Sequence, residues 1–202
     1  MNVHSQQTRI ARPTRGYTIR IICRLLFVLG SLALGYAGFG FADAHLYQAV
    51  EIRKFERAVG PVKARIFGDG DILGEIQVPR LHIDAIVVQG DSNADLRHAA
   101  GHLPESALPG ERGNIVLAGH RDTFFRPLRN IRRGDEITFK AASGSFQYRV
   151  ESTEVVAPSN VRVLATSTGH NLTFITCFPF YFVGPAPNRF IVHATELHGV
   201  SQ

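Results

Sequence analysis

Cys177 carries the most reactive side chain in this sequence, and it ends an apolar stretch. Residues 172–177 are rich in β-branched and aromatic side chains, which predicts a strand, and Pro179 prevents that strand from continuing far. The only other cysteine, Cys23, falls in an apolar N-terminal segment, so we expect Cys177 to have no disulfide partner. An unpaired thiol in an exported domain suggests a nucleophile.

A histidine and an arginine occupy similar positions relative to other apolar stretches. His120 follows residues 114–118, and Arg189 leads into residues 190–192. An imidazole can remove and return a proton, and a guanidinium can stabilise the charge that develops on a carbonyl oxygen. If neighbouring strands bring both residues to Cys177, the three could catalyse acyl transfer. From the pattern alone, a buried cysteine with a surface histidine and arginine stays an open alternative.

Other titratable residues are weaker candidates. His170 and His193 lie close in sequence to the strands that carry the candidate residues, and either could serve as the base. Arg121 and Arg126 are interpreted as solvated or paired charges. His98 and His102 are four residues apart, but Gly101 interrupts a helix there and no third ligand is near, so we expect neither a metal nor a cofactor.

The net charge of +5 comes entirely from the N-terminal end. Residues 1–42 contain five arginines and no acidic residue, so the rest of the 202-residue chain is neutral. A neutral domain lacks the basic surface expected of a nucleic-acid-binding protein. We therefore expect no nucleic-acid partner.

An apolar segment near the N-terminus predicts membrane attachment. Residues 25–42 contain no charge, and together with residues 19–23 they are long enough to cross a bilayer. The arginines before this segment predict a cytoplasmic N-terminus and a domain outside the cytoplasm. A cleaved signal peptide is the alternative, because residues 42–44 have the small-x-small form of a cleavage site.

The predicted organisation has four parts. Residues 1–19 form a cytoplasmic tail and residues 20–42 a transmembrane helix. Residues 43–70 form a helical stalk and linker, and residues 71–202 the catalytic domain.

Beyond residue 71 the pattern is that of an all-β domain. Seven or eight short stretches alternate or are continuously apolar, and turn residues separate them, which indicates a sandwich or barrel. The predicted strands cover residues 76–78, 82–89, 114–118, 135–140, 145–150, 151–157, 172–177 and 189–193. Short helical segments are predicted at residues 94–100, 124–131 and 160–165.

Three separated segments resemble the sortases, the bacterial cysteine transpeptidases. Residues 173–177 are similar to the Thr-Leu-x-Thr-Cys signature of that family, with Phe174 at the leucine position. Residues 114–125 resemble the stretch around the family's catalytic histidine, and residues 177–192 resemble the class D branch around its essential arginine. The resemblance covers roughly residues 72–195 of this sequence.

The resemblance implies an eight-stranded β-barrel on a membrane anchor and a reaction at Cys177. The thiolate would cleave an LPxTG-like sorting signal of a secreted protein through an acyl-thioester, and an amine acceptor such as a peptidoglycan precursor would resolve it. His120 would transfer the proton and Arg189 would stabilise the oxyanion.

Three further residues are predicted to bind the substrate. They are Thr176, Ala118 and Pro158. For Thr176, a strand hydroxyl that satisfies backbone groups is an equally good interpretation. Two other functions stay open: a cysteine hydrolase that uses the same residues with water, and a non-catalytic membrane-tethered β-domain that binds peptides.

Overall fold

The computed structural model describes residues 15–58, 67–165, 167–182 and 184–197. The first element is a long helix, α1 (Arg15–Ala58). Within it, Ile19–Phe39 is a 21-residue stretch long and apolar enough to cross a membrane, although a signal sequence would pass the same test. Residues 59–66 of the predicted stalk and linker lie outside the described residues.

In the part of the chain that the structure describes, eight strands follow α1 and form a closed barrel, in agreement with the predicted fold class. Their order around the barrel is β1-β2-β3-β4-β7-β8-β6-β5. The strands are β1 (Ile72–Val78), β2 (Ile83–Gln89), β3 (Ala100–His102), β4 (Gly113–Ala118), β5 (Glu136–Ala141), β6 (Gly144–Val156), β7 (His170–Phe178) and β8 (Asn188–Glu196).

Two of the described strand pairs are parallel, and one of them determines the course of the chain between β4 and β7. β4 runs parallel to β7, with Ala118 opposite Ile175, whereas β7 and β8 are antiparallel. β2 and β3 form the other parallel pair. Because a parallel pair needs a long connection, β5 and β6 lie between β4 and β7 in the chain but on the far side of β8 in the barrel.

Alternating side chains fill the barrel interior. On β7 the inward residues Leu172 and Phe174 are each 1% exposed, and Phe174 packs on Phe125 with ring centroids 5.2 Å apart. The facing residues of β8, Val192 and Ala194, are also buried. Because successive side chains of a strand point to opposite faces, the odd-numbered residues of β7 and β8 lie on the outer surface.

The helical segments of the barrel domain are short. Each of the three predicted segments contains a 3-10 helix, at Asp95–Arg97, Arg126–Asn130 and Val161–Leu164. The sequence analysis missed the strand β3, which begins where the first of these segments was predicted to end. It also divided β6 in two, because a register shift between Val150 and Ser152 interrupts the alternation.

Two polar groups are buried in the fold rather than in the predicted site. The ring of His102 is fully buried, with Nδ1 2.9 Å from Gln89 Oε1 and Nε2 2.9 Å from the carbonyl oxygen of Ala107. Burial lowers the pKa of His102. Arg80 donates two hydrogen bonds to the Asp135 carboxylate, and this hydrogen bonding lowers the pKa of Asp135.

Candidate active site

Cys177 lies on the outer surface of the barrel, one residue before the end of β7. Its neighbours on the strand, Thr176 and Phe178, point to the opposite face. Cys177 is half-buried and is not in a disulfide. A thiol in this position is held by a rigid strand and is partly accessible to a substrate.

Arg189 lies directly opposite Cys177. The two residues are Cα partners in the antiparallel β7–β8 pair, so their side chains leave the same face of the barrel. Nη1 of Arg189 donates to the carbonyl oxygens of Ala186 and Asn188, at 3.3 and 3.1 Å. These bonds anchor one side of the half-buried guanidinium on the segment that leads into β8.

His120 lies in the segment that continues β4 alongside β7. The amide of Gly119 donates to the carbonyl oxygen of Ile175 at 3.1 Å, so the parallel pairing extends one residue beyond Ala118. Continuing this register by one more residue would set the backbone of His120 level with that of Cys177. The structure therefore groups the strand ends that carry Cys177 and Arg189, and the strand end that precedes His120, at one end of the barrel.

Thr176 fixes the position of the segment that carries the histidine. Its side chain is 2% exposed, and its hydroxyl donates to the carbonyl oxygen of Gly119 at 2.8 Å. This contact joins the residue before His120 to the residue before Cys177. It fits the interpretation of Thr176 as a hydroxyl that satisfies a backbone group, and a contact of Thr176 with substrate stays a prediction.

Gly119 allows this segment to pass close to the core. A Cβ atom at this position would lie 2.5 Å from the ring of Phe125, which is fully buried. A larger residue would therefore push the segment outward, and His120 with it.

The other two predicted substrate contacts lie near the three candidate catalytic residues. Ala118 is two residues before His120, on the outer face of β4. Pro158 is exposed and follows the end of β6 by two residues, and Val156 at that end is the Cα partner of Arg189. Both residues thus border the surface around Cys177, and their contact with substrate stays a prediction.

The alternative histidines are too far along their strands to reach Cys177. His170 is at the opposite end of β7, seven residues away, which corresponds to about 23 Å. His193 is four residues from Arg189, about 13 Å along β8, and its Nε2 lies 2.9 Å from Glu154 Oε1. Of the three histidines considered as the base, only His120 follows a strand end that is paired with β7 near Cys177.

Arg121 is a residue whose role the sequence analysis missed. Its Nη2 donates to the carbonyl oxygens of Phe182 and Gly184, at 2.6 and 2.9 Å, and its guanidinium carbon is 5.9 Å from the centroid of the Phe182 ring. Arg121 therefore joins the segment of His120 to the loop between β7 and β8. The only signal in the sequence was its position next to His120.

Of the aromatic side chains in and next to that loop, some pack on one another and others are exposed. The rings of Phe178, Phe180 and Phe190 pack on one another, with centroids 5.3 to 6.3 Å apart. Tyr181 is 73% exposed and Phe182 is 45% exposed. The loop thus presents an aromatic surface beside Cys177.

Comparison with known sequences identifies the family. The sequence model of the family described as "Sortase domain" matches residues 76–197. Sortase D of Bacillus subtilis (strain 168) is 33% identical over 129 residues, which are 63% of this chain and 65% of that protein. Sortase SrtE1 of Streptomyces coelicolor is 30% identical over 157 residues, which are 68% of this chain and 45% of that protein. The chain thus spans between 45% and 65% of the length of these two relatives.

Solved structures agree with these matches. A sortase D5 transpeptidase of Clostridium perfringens superposes with a TM-score of 0.67 at 24% identity, over 75% of this chain and 98% of that one. The SrtA sortase of Actinomyces oris superposes with a TM-score of 0.60 at 29% identity, over 69% of this chain and 87% of that one. The family match covers more than half of the chain, and with the barrel and its order of strands it confirms the predicted resemblance: the chain belongs to the sortase family of cysteine transpeptidases.

Proposed function

We propose that this protein is a membrane-anchored cysteine transpeptidase that cleaves an LPxTG-like sorting signal and transfers the acyl part to an amine. One observation carries the proposal. Cys177 and Arg189 are cross-strand partners on the outer face of the barrel, and the segment that carries His120 is hydrogen-bonded through Gly119 to β7 at Ile175, two residues before Cys177. A nucleophile, a proton carrier and a fixed cation therefore have access to one carbonyl group.

The first half-reaction forms a thioester. The thiolate of Cys177 attacks the carbonyl carbon of the signal's threonine, and the guanidinium of Arg189 stabilises the negative charge on the carbonyl oxygen. The C–N bond then breaks, and the imidazolium of His120 gives its proton to the departing amine. The acyl part stays bound to sulfur.

The second half-reaction reverses these roles. An amine attacks the thioester carbonyl, and neutral His120 removes the proton that the new amide cannot keep. The C–S bond breaks, the thiolate is restored, and the acyl part is joined to the acceptor. A secreted protein with a C-terminal sorting signal would supply the first substrate, and a peptidoglycan precursor or another protein the amine.

The N-terminal region would hold this site at the outer face of the membrane. We assign residues 1–19 to a cytoplasmic tail, 20–42 to the transmembrane helix, 43–70 to a stalk and linker, and 71–202 to the catalytic domain. The apolar stretch Ile19–Phe39 and the arginines before it support this orientation.

The activity is tested with the full chain in detergent and a peptide that contains Leu-Pro-x-Thr-Gly. Mass spectrometry with and without an added oligoglycine amine follows the products. We expect a ligated peptide when the amine is present. Release of the free acid alone, at the same rate with and without the amine, would instead identify a hydrolase.

Matched variants test the assigned residues. Cys177→Ala should abolish both products, whereas Cys23→Ala, which removes the other thiol, should leave them unchanged. Arg189→Ala should lower kcat/KM by about 100-fold or more, the usual effect of removing an oxyanion donor. Arg133→Ala is its control, because the Arg133 side chain is 81% exposed. A Cys177→Ala variant with wild-type turnover would refute the mechanism.

The topology is tested on intact cells and on isolated membranes. Protease added outside should digest the barrel domain and leave a protected fragment of the N-terminal region in the membrane. A mature chain that lacks residues 1–42 would show instead that the segment is a cleaved signal peptide.

A further inference from the structure

A polar cleft of about 410 Å³ lies on the same outer face of the barrel as Cys177. Its floor is formed by β4, β7, β8 and β6, and its wall by the segment around Val161–Leu164. The size is within the range of ligand-binding pockets. Six of its polar side chains enter the argument: Asn114, Asn171, Thr173, His193, Glu154 and Arg162.

The polar side chains on the floor of this cleft are buried and hydrogen-bonded within the protein. Thr173 and Asn114 are 1% and 6% exposed, and the Thr173 hydroxyl donates to Asn114 Oδ1 at 2.8 Å. The Asn114 amide also reaches the carbonyl oxygens of Val163 and Ala165 in the wall, at 3.4 and 3.5 Å. These bonds hold the floor in place, and the less buried polar side chains of the lining, such as Asn171, favour a ligand that can form hydrogen bonds.

The register of the strands gives the distance from Cys177 to the cleft. An apolar row lies two residues before Cys177 on β7, about 7 Å away, and consists of the half-buried side chains of Ala118 and its partner Ile175. Two residues further, about 13 Å from Cys177, is Thr173 at the edge of the cleft. Along β7 the outer face thus carries first the reactive Cys177, then the apolar row and then the polar cleft.

We propose that this cleft binds the side chain of the residue that precedes the leucine of the sorting signal, and that it selects an uncharged polar side chain such as glutamine or asparagine. The proposal rests on the proposed function. With the scissile threonine at Cys177, an extended peptide places its proline and leucine over the apolar row and the preceding residue about 13 Å away, over Thr173.

The position of the apolar row indicates which half of the peptide lies over the cleft. The apolar residues of an LPxTG-like signal all come before the scissile bond, and the apolar row is on the same side of Cys177 as the cleft. This acyl half is also the half that stays on the enzyme, as the thioester of Cys177, while the other half leaves.

The charges that line the cleft favour an uncharged side chain. Glu154 is paired with His193, and Arg162 is on the opposite wall. A charged side chain of either sign would meet one like charge, and an aliphatic side chain would displace water from the polar lining without replacing its hydrogen bonds. An amide, which both donates and accepts, meets neither penalty.

The test uses the full chain in detergent and peptides X-Leu-Pro-x-Thr-Gly that differ only at X. We expect kcat/KM with X as glutamine to exceed the values with leucine, lysine and glutamate by about fivefold, the usual effect of one net hydrogen bond. The Cys177→Ala variant provides a second measurement. Its Kd for the glutamine peptide should be lower than for the leucine peptide by a similar factor.

A substitution in the cleft should remove this preference. Asn171→Leu replaces a half-buried amide of the lining by an apolar group of similar size, and should bring the glutamine and leucine peptides within about twofold of each other. Asn93→Leu, at an exposed position outside the cleft, is the matched control and should keep the wild-type preference.

The outcomes separate this proposal from the proposed function. Equal kcat/KM and equal Kd for all X would overturn the cleft assignment and leave the transpeptidase intact. A Kd preference in Cys177→Ala without turnover of any peptide by the wild type would support the cleft and refute the function. Absence of binding of every peptide would overturn both.

Discussion

The Thr176 hydroxyl offers the sharpest test of how the fold positions the candidate base. Thr176→Val keeps the volume and the branched shape of the side chain and removes only the hydrogen bond to the Gly119 carbonyl. Thr176→Ser keeps the hydroxyl and removes a buried methyl group. The two variants therefore separate the hydrogen bond from the packing.

The expected costs in stability are similar for the two variants. Loss of a neutral hydrogen bond at a site that is 2% exposed costs about 1–2 kcal/mol. Loss of one buried methyl group costs about 1 kcal/mol. For a domain of this size, each change should lower the melting temperature by roughly 3–5 °C.

The expected effects on catalysis differ. In Thr176→Val the segment that carries His120 loses its attachment to β7, so we expect kcat/KM for the sorting peptide to fall by about tenfold. In Thr176→Ser the attachment remains, and the decrease should be at most about threefold. Thermal denaturation and the peptide ligation assay give the two quantities on the same samples.

Two results would refute this reasoning. Wild-type kcat/KM in Thr176→Val would mean that the hydrogen bond does not position the base. Equal losses of activity in the two variants would mean that packing alone decides. A higher KM with unchanged kcat and melting temperature in Thr176→Val would support the predicted contact with substrate instead.

Two further predictions concern groups outside the three candidate catalytic residues. Arg121→Ala removes the hydrogen bonds to the loop between β7 and β8, so limited proteolysis should cut that loop several-fold faster and kcat/KM should fall. Substitution of the exposed Arg126 by alanine is the control, and an unchanged rate of proteolysis in Arg121→Ala would contradict the assignment. Hydrogen bonding to Arg80 lowers the pKa of Asp135, so this carboxylate stabilises the fold above the pKa of an unfolded aspartate, about 4, and the contribution is lost as the pH falls through its lower folded pKa. Denaturant titrations should show that Asp135→Asn is less stable than the wild type at pH 7 and that the difference shrinks below about pH 4; a difference independent of pH would contradict it.

Residue types and their local spacing were sufficient to predict most strands and the candidate chemistry. The β-branched and aromatic composition of residues 172–177 predicts β7, and the proline after it limits the strand, so that Cys177 comes near its end. The alternation beyond residue 71 indicated an all-β barrel because side chains of a strand alternate between interior and surface. The residue types at three strand ends were sufficient to suggest acyl transfer.

Which of these strand ends meet depends on long-range pairing. Thr176 and Gly119 are 57 residues apart in the chain, and their contact depends on the parallel pairing of β4 with β7, which no local periodicity encodes. The same pairing joins the segment of His120 to β7 near Cys177, whereas His170 and His193 are too distant along their strands. The contact of Arg121 with its loop and the polar cleft at Thr173 are likewise products of long-range register. Local composition fixes where a strand lies and which face is apolar, whereas its neighbours follow from the closure of the whole barrel.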